Sequence, residues 1–297
     1  MTVRRTLPAR QRSFVGAWCF VDHYGPDDVA ATGGMDVAPH PHCGLATVSW
    51  LFEGEVEHRD SLGTVAMVLP GEVNLMTAGR GIAHSEQSTA RSQRLHGVQL
   101  WLALPESARD GTSSFVHHEP PVVTPEPGVR AAVFIGSLCG STSPVPVATP
   151  LVGAEVVLEP GAQVVLDVPE EFEMAVLLDQ GEVSFAGVDL RTGELAVKAS
   201  GRHTDSVVRA GRSGARVVVI GGEPFEEEIV MWWNFIGRTH DEVRAAQEEW
   251  NRGGRRFGFV DGYVPSTQGR WWIPAPPMPA VRLRPRGRLG RRGDPST

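Results

Sequence analysis

Residues 47–58 run Thr-Val-Ser-Trp-Leu-Phe-Glu-Gly-Glu-Val-Glu-His, and this stretch indicates the fold class. A segment rich in β-branched and aromatic residues ends at Glu53-Gly54, and apolar and polar residues alternate beyond it. That pattern is typical of two strands joined by a tight turn in which glycine supplies an unusual backbone angle. The stretch therefore predicts a β-hairpin.

Similar short apolar segments follow along the first half of the chain, over 63–69, 72–76 and 95–104. The 297 residues include 34 glycines and 23 prolines, which break the chain too often for a helical bundle. Because 41% of the residues are hydrophobic, each half has enough apolar material for a core. These features predict an all-β chain of sandwiches or barrels, and the length suggests two domains.

A weak internal repeat also favours two domains. Residues 175–183 are similar to 48–56, and the Gly-Glu-Val within them recurs after 127 residues. A polar and then Pro-rich stretch over 105–128 is typical of a linker. We therefore expect a first domain over 1–118 and a second over 119–281.

The C-terminal part is expected to hold one helix and one extended segment. Thr239 followed by Glu242 is typical of a capping box and predicts a helix over 241–251. Its buried face would carry Val243, Ala246 and Trp250. The prolines within 271–279 remove backbone donors, so we expect this stretch to lie extended with its tryptophans buried on a domain surface.

The charge is unevenly distributed. Six arginines fall within 282–292, and they predict a disordered, Arg-rich tail over 282–297. The whole chain carries a formal net charge of −7, so its body is acidic. This balance argues against a protein dedicated to binding nucleic acid.

The cysteines and the N-terminal sequence indicate a compartment. Three cysteines, Cys19, Cys43 and Cys139, cannot all pair, and their spacing matches no metal knuckle. The N-terminal residues lack the apolar segment of a signal peptide, and no run of about 18 apolar residues is long enough to span a membrane. We expect a soluble, cytoplasmic protein without membrane contact.

Two short motifs carry candidate chemistry. In His40-Pro41-His42 the two imidazoles point to the same side of an extended segment, and His84-Ser85-Glu86 places a histidine and a carboxylate in the same way. Three imidazoles and one carboxylate suit a first-row metal such as Fe, Mn, Co, Ni, Cu or Zn, and four such ligands leave two octahedral positions open. The alternative is that His40 and His42 form a surface pair, as a single His-x-His motif usually does.

The same motifs resemble those of the pirin family, a branch of the cupin superfamily. The resemblance lies in three long stretches, in two shorter ones and in the region from Gly221 through the 241–251 helix. The long stretches are Met35–His42, Leu51–Ser61 and Met76–Glu86, and the shorter ones are Phe20–Pro26 and His96–Trp101. The similarity covers residues 5 to 279.

This resemblance implies a bicupin, with two cupin-type β-barrels of which only the N-terminal one holds metal. Matched motif by motif, the metal ligands would be His40, His42, His84 and Glu86. The family metal is usually iron, and several members open flavonols with O₂ as quercetin 2,3-dioxygenases, releasing CO. Other members are iron-dependent regulators that bind transcription factors or metabolic enzymes.

The sequence departs from the family pattern beside the first motif. Cys43 stands where many relatives carry a residue without a thiol, and Ala46 stands where glutamate is common. We expect Cys43 to be a small buried residue, and a redox-sensitive thiol is the alternative.

The remaining histidines are ranked lower as ligands. His23 is expected to form structural hydrogen bonds, and His58 to stay solvated, with lining of the pocket mouth as the alternative. For His96 and Gln99 the sequence leaves open whether they line the barrel or lie hydrogen-bonded in the core. The second barrel has only His203 within its repeat, so we expect it to be structural.

Three hypotheses for function follow. In the first, the chain is an iron-dependent dioxygenase of the quercetinase type, with Glu86 as the general base for a flavonol-like substrate. In the second, Fe(II)/Fe(III) exchange at a non-catalytic site gates redox regulation of a protein partner. In the third, the metal is purely structural.

Overall fold

The computed structural model describes residues 1–201, 206–265 and 269–289. Strands dominate these residues, which confirms the predicted all-β class. Helix is limited to α1 (Val29–Thr32), α2 (His240–Asn251) and a single 3₁₀ turn (Arg255–Phe257). Among the described residues, no helix is both long enough and apolar enough to cross a lipid bilayer.

The first barrel is built from two antiparallel sheets whose inner side chains meet. The six-stranded sheet has the spatial order β1 (Val3–Leu7), β2 (Trp18–Asp28), β9 (Arg94–Ala103), β4 (Leu45–Glu53), β7 (Val73–Thr77), β10 (Ser114–His118). The four-stranded sheet has the order β3 (Asp36–His42), β8 (Ile82–Ser88), β5 (Val56–Asp60), β6 (Val65–Val68).

The second barrel is formed by one eight-stranded antiparallel sheet. Its main path is β11 (Val122–Val123), β12 (Val129–Ile135), β15 (Leu151–Leu158), β20 (Val207–Gly222), β17 (Glu173–Phe185), β18 (Val188–Leu190). In addition, β16 (Gln163–Val165) pairs with β20, and β19 (Leu195–Lys198) pairs with β17. Two small ribbons complete the fold: β13 (Ser137–Leu138) with β14 (Ser141–Thr142), and β21 (Val230–Trp232) with β22 (Phe235–Gly237).

The strand–turn–strand stretch over 47–58 forms both predicted strands, but the predicted hairpin is wrong. β4 pairs with β7 and β9, whereas β5 pairs with β6 and β8. The turn at Gly54 therefore carries the chain from one sheet of the first barrel to the other. Because β5 joins the four-stranded sheet, His58 enters the barrel interior instead of solvent.

The second barrel repeats two backbone features of the first. Gly54 and Gly181 have φ of +95° and +89°, and Gly71 and Gly193 have φ of +79° and +82°. The backbone conformation at these glycines is thus alike in the two barrels, although β17 continues through Gly181 where the first barrel changes sheet.

A single hydrophobic core cluster extends across both barrels. The Trp50 ring of β4 lies 4.8 Å from the Phe134 ring of β12, and its Nε1 donates to Glu155 of β15 at 2.6 Å. The Trp18 indole likewise donates to the Gly221 carbonyl at 3.1 Å. Because burying a phenylalanine contributes roughly 2–3 kcal/mol, this shared core fixes the two barrels against each other.

The stretch over 105–128 is not the simple linker that the sequence predicts. It contains β10, which adds to the edge of β7, and the short strand β11, which starts the second sheet. β10 ends at His118 and β11 begins at Val122, so the crossing between the barrels is brief.

Helix α2 forms as predicted and buries Val243, Ala246 and Trp250. The Thr239 hydroxyl accepts the N–H of Glu242 at 3.2 Å, which is half of the predicted capping box. The Glu242 carboxylate accepts the backbone N–H of Arg238 at 2.9 Å.

The segment after α2 differs from two expectations. Residues 271–279 run without regular structure, as predicted, but Trp271 and Trp272 are 68% and 41% exposed and so are not buried. Residues 282–289, within the stretch predicted as a disordered tail, contact the body of the protein: Arg282 forms an ion pair with Asp241, and Arg288 contacts Glu173. Residues 290–297 lie outside the described part of the chain.

The sheet-changing turn leads to a stability prediction. A Cβ on Gly54 would lie 2.3 Å from the carbonyl oxygen of Arg94, whereas a Cβ on Gly71 meets nothing within 4 Å. Both glycines have a positive φ, so only the first substitution adds a backbone clash to the conformational strain. We expect Gly54→Ala to lower the free energy of unfolding by roughly 3–5 kcal/mol and Gly71→Ala by roughly 1–2 kcal/mol, measured in urea. Equal losses would contradict this account.

Candidate metal centre

Two paired strands of the first barrel bring three histidines together. β3 and β8 are antiparallel, and their register sets His40 directly opposite His84. Since side chains alternate along a strand, His42 points to the same side as His40. The three rings lie with centroids 4.4–5.0 Å apart: His40–His84 4.4 Å, His42–His84 4.9 Å and His40–His42 5.0 Å.

The nitrogen atoms of this cluster have the spacing of metal ligands. The Nε2 atoms of His42 and His84 are 3.0 Å apart, and one potential ligand atom from each of the three histidines lies within 4.8 Å of the others. Two nitrogens at adjacent positions around an ion, each about 2.1 Å from it, are separated by about 3 Å. A set of three imidazoles suits a first-row transition metal and suits Mg²⁺ or Ca²⁺ poorly.

Backbone contacts orient the first of these rings. His40 Nδ1 lies 2.9 Å from the carbonyl oxygen of Ala38, which can only accept a hydrogen bond. The proton of the neutral ring is therefore on Nδ1, and the Nε2 lone pair is free for a ligand bond. His40, His42 and His84 are buried, with exposures of 6%, 2% and 1%.

Glu86 lies beside the triad but is not part of its tightest grouping. Its carboxylate falls within 4.8 Å of ligand atoms of His58 and His84, whereas the other group consists of His40, His42 and His84. The Ser49 hydroxyl oxygen lies 3.5 Å from Oε1 of Glu86 and 2.9 Å from Oε1 of Gln99, and its one proton can be donated to either acceptor. Three of the four predicted ligands thus lie together. The fourth, Glu86, lies close to His84, which belongs to both groups.

Burial determines the charge state of the cluster. Desolvation lowers the pKa of His40 to about 4 and lowers the pKa of His42 and His84 well below the ordinary value. All three rings are therefore neutral near pH 7, which is the form that binds metal. Desolvation also raises the pKa of the Glu86 carboxyl, although His58 and Ser49 oppose that shift.

His58 is buried in the first barrel, contrary to the expectation from the sequence. It is 3% exposed, so the expected solvation is incorrect. Its Nδ1 lies 3.3 Å from Nδ1 of His84, and its Nε2 lies 3.3 Å from Oδ2 of Asp60. The only sequence signal was His58-Arg59-Asp60, a histidine and a carboxylate with the i, i+2 spacing of the other two motifs.

A second cluster of buried polar groups joins the two barrels. His23 and His96 of the first barrel place their Nε2 atoms 2.8 and 2.7 Å from Oδ1 of Asp179 on β17, and Arg216 donates to Oδ2 at 2.6 Å. These hydrogen bonds satisfy the carboxylate without a metal, and they hold its pKa well below the ordinary value despite desolvation. His23 is thus structural, as expected, and His96 is a hydrogen-bonded histidine at the barrel interface.

The remaining candidates do not extend the site. Cys43 is 3% exposed, and desolvation raises the pKa of its thiol to about 11, which favours the small buried residue over a reactive thiolate. His203 lies outside the described residues.

Comparison with known proteins agrees with this geometry. The Pirin family model matches residues 1–102, and the model of the Pirin C-terminal cupin domain matches residues 153–258. A Pseudomonas aeruginosa protein that carries the provisional name quercetin 2,3-dioxygenase is 41% identical over 94% of this chain and 86% of its own length. The chain belongs to the pirin family. It is therefore a bicupin, with the histidine triad in its first cupin domain.

Two further relatives show how far the similarity extends. A pirin-like protein of Caulobacter vibrioides is 38% identical over 87% of this chain and 91% of its own length. The crystal structure of a quercetin 2,3-dioxygenase from Acinetobacter baumannii superposes with a TM-score of 0.87, at 38% identity, and covers 97% of this chain and 93% of that one. The pirin fold thus extends over nearly the whole chain.

The neutral triad predicts an acid-dependent stability. Unfolded histidines have a pKa near 6.5, whereas His40 titrates at about 4 in the fold. The unfolded state therefore binds more protons between these values, so metal-free protein loses stability as the pH falls from about 6.5 to about 4. We expect His40→Gln to remove up to about 3 kcal/mol of this loss in urea unfolding at each pH.

The control for this prediction is Ile220→Val, which shortens a buried apolar side chain of β20 and leaves every titratable group in place. It should leave the pH dependence as it is in the parent protein. The same slope in both variants would show that burial of the triad does not cause the acid sensitivity.

Proposed function

We propose that this pirin is a metal-dependent dioxygenase that opens a flavonol, or a similar enol, with O₂. The observation that carries the proposal is the convergence of three buried, neutral imidazoles within the first cupin domain. Relatives named for quercetin 2,3-dioxygenase activity supply the reaction class, since they share 38–41% of the sequence over nearly the full length.

The proposed ligand set consists of His40, His42, His84 and Glu86, with iron as the metal. Mn, Co, Ni, Cu or Zn would fit the same donors. When bound, the metal would supply Lewis acidity and open positions for an enolate oxygen and for O₂. The chain would supply the orientation of the substrate, the exclusion of water and an acceptor for the substrate proton.

Glu86 is the proposed proton acceptor. A flavonol must lose the proton of its hydroxyl group, and a positioned carboxylate with an elevated pKa is a stronger base than one in water. Burial raises the pKa of Glu86 in the metal-free chain, whereas a bound cation would lower it, so the carboxylate would have to leave the metal to accept the proton. The Ser49 hydroxyl at 3.5 Å would hold one carboxylate oxygen while the other takes the proton.

Aromatic side chains near the triad fit a planar substrate. The Trp101 ring lies 5.3 Å from the His42 ring at 80°, and the Phe115 ring lies 4.8 Å from the His58 ring. Both rings belong to the six-stranded sheet and face the histidines across the barrel. We infer that they restrict water and orient a flat ring system against the metal.

The three free cysteines are consistent with a reducing compartment, and we propose the cytoplasm as the location. The alternative proposal is a redox-gated regulator that binds a protein partner through the same metal site. Flavonol turnover separates the two proposals, because a regulator needs the metal but no substrate.

The test is flavonol consumption by the iron-loaded protein, followed by loss of flavonol absorbance together with O₂ uptake. We expect His84→Ala to abolish turnover and Glu86→Gln to lower kcat by about 100-fold or more, the usual contribution of a general base. Glu155→Gln is the matched control, since Glu155 is a partly buried carboxylate that accepts from Trp50 at the barrel interface.

Turnover in Glu155→Gln should match that of the parent protein. If the iron-replete parent consumes no more flavonol than His84→Ala does, the dioxygenase proposal is wrong. Full activity in Glu86→Gln would remove the assigned role of Glu86 and leave the reaction class standing.

A further inference from the structure

His58 and Asp60 form a buried pair that the proposed reaction does not use. We propose that this pair is a positioning device that holds His84 in the tautomer with its proton on Nδ1, so that Nε2 faces the metal site. The inference rests on the proposed function only in taking the histidine triad as the metal site. The tautomer of His84 is a property of the metal-free chain and does not depend on that function.

The first link is the fixed carboxylate of Asp60. Its Oδ1 accepts the backbone N–H groups of Leu62 and Thr64 at 2.8 and 3.0 Å, which anchors the side chain in the turn after β5. Its Oδ2 lies 3.3 Å from Nε2 of His58. The two backbone N–H groups on Oδ1 mark this carboxylate as a hydrogen-bond acceptor.

An ionised carboxylate can only accept hydrogen bonds, so the proton of His58 lies on Nε2. In its neutral form the imidazole has one N–H, which leaves Nδ1 of His58 as an acceptor. Nδ1 of His84 lies 3.3 Å from that acceptor and must donate to it. The lone pair of His84 is therefore on Nε2, the atom that lies 3.0 Å from Nε2 of His42.

Register and packing keep these rings in place. On the paired strands β5 and β8, His58 lies opposite Glu86 and Asp60 lies opposite His84. The outer face of the His58 ring stacks on Phe115 of β10, with centroids 4.8 Å apart and an interplanar angle of 30°. His58 therefore cannot turn away from His84 without losing both the stacking and the bond to Asp60.

The pair is expected to strengthen metal binding at His84. A carboxylate that acts through an imidazole makes the ligating ring more basic and removes the cost of choosing a tautomer. Loss of such a supporting group usually weakens metal binding by about 10- to 100-fold. The pair acts through His84, so it is a positioning pair and not a catalytic one.

The first experiment measures tautomers by long-range ¹H–¹⁵N correlation in metal-free protein labelled with ¹⁵N-histidine. Signals are assigned with the His58→Phe and His84→Asn variants. The proposal requires His84 protonated on Nδ1 and His58 protonated on Nε2. An Nε2-protonated His84 in the parent protein overturns it.

The second experiment measures the Co(II) dissociation constant by competition with a chromophoric chelator. His58→Phe keeps a planar ring against Phe115 but offers no acceptor, and we expect affinity to fall by about 10- to 100-fold. His58→Asn keeps a side-chain oxygen near the position of Nδ1 and should restore affinity to within about threefold of the parent. His96→Phe is the matched control, because it makes the same change at a buried histidine of the inter-barrel cluster.

The Co(II) affinities of the variants test the positioning role, and flavonol turnover tests the proposed function. Unchanged Co(II) affinity in His58→Phe, or an equal loss in His96→Phe, overturns the positioning role. Absence of flavonol turnover in the parent protein counts against the proposed function alone, since neither tautomers nor Co(II) affinity depends on turnover.

Discussion

The antiparallel pairing of β3 with β8 is the constraint on which the candidate site depends. With His40 opposite His84, the alternation of side chains sends the three histidines inward and leaves Pro41 and Ala83 on the other face. A shift of one residue in this register would move every imidazole to the outside of the barrel. The neighbouring strand pair β8–β5 has its own fixed register, in which Asp60 lies opposite His84.

Desolvation determines the protonation states of these buried side chains. The buried rings are neutral because charging them without water is unfavourable, and a neutral ring has a lone pair to offer. In the metal-free chain the same burial raises the pKa of Glu86. One physical effect therefore prepares both the metal ligands and the proton acceptor, without a strained backbone at any of the four residues.

Much of the fold and of the site was predictable because the signals are local. Alternation along strands predicts the all-β class, and i, i+2 spacing places His40 with His42 and His84 with Glu86. The capping signal at Thr239 gives the bounds of α2 to within a residue. Each of these features depends on neighbours within a few positions of the chain.

The features that were missed depend on long-range pairing. A tight turn at Gly54 has the same sequence whether its strands pair with each other or enter different sheets, so the position of His58 could not be inferred. Asp179 belongs to the second barrel, and nothing near His23 or His96 indicates that it would meet them. The contacts of Arg282 and Arg288 likewise join residues far apart in sequence.

The core shared by the two barrels has a thermodynamic consequence. Separating the barrels would expose Trp18 and Trp50 and would leave the charges of Asp179 and Arg216 at an apolar surface. The chain is therefore expected to unfold in one cooperative transition despite its two-domain architecture. A ligand that binds only at the histidine triad would then raise the melting temperature of the second barrel as well, since the free energy of binding is added to the whole unit.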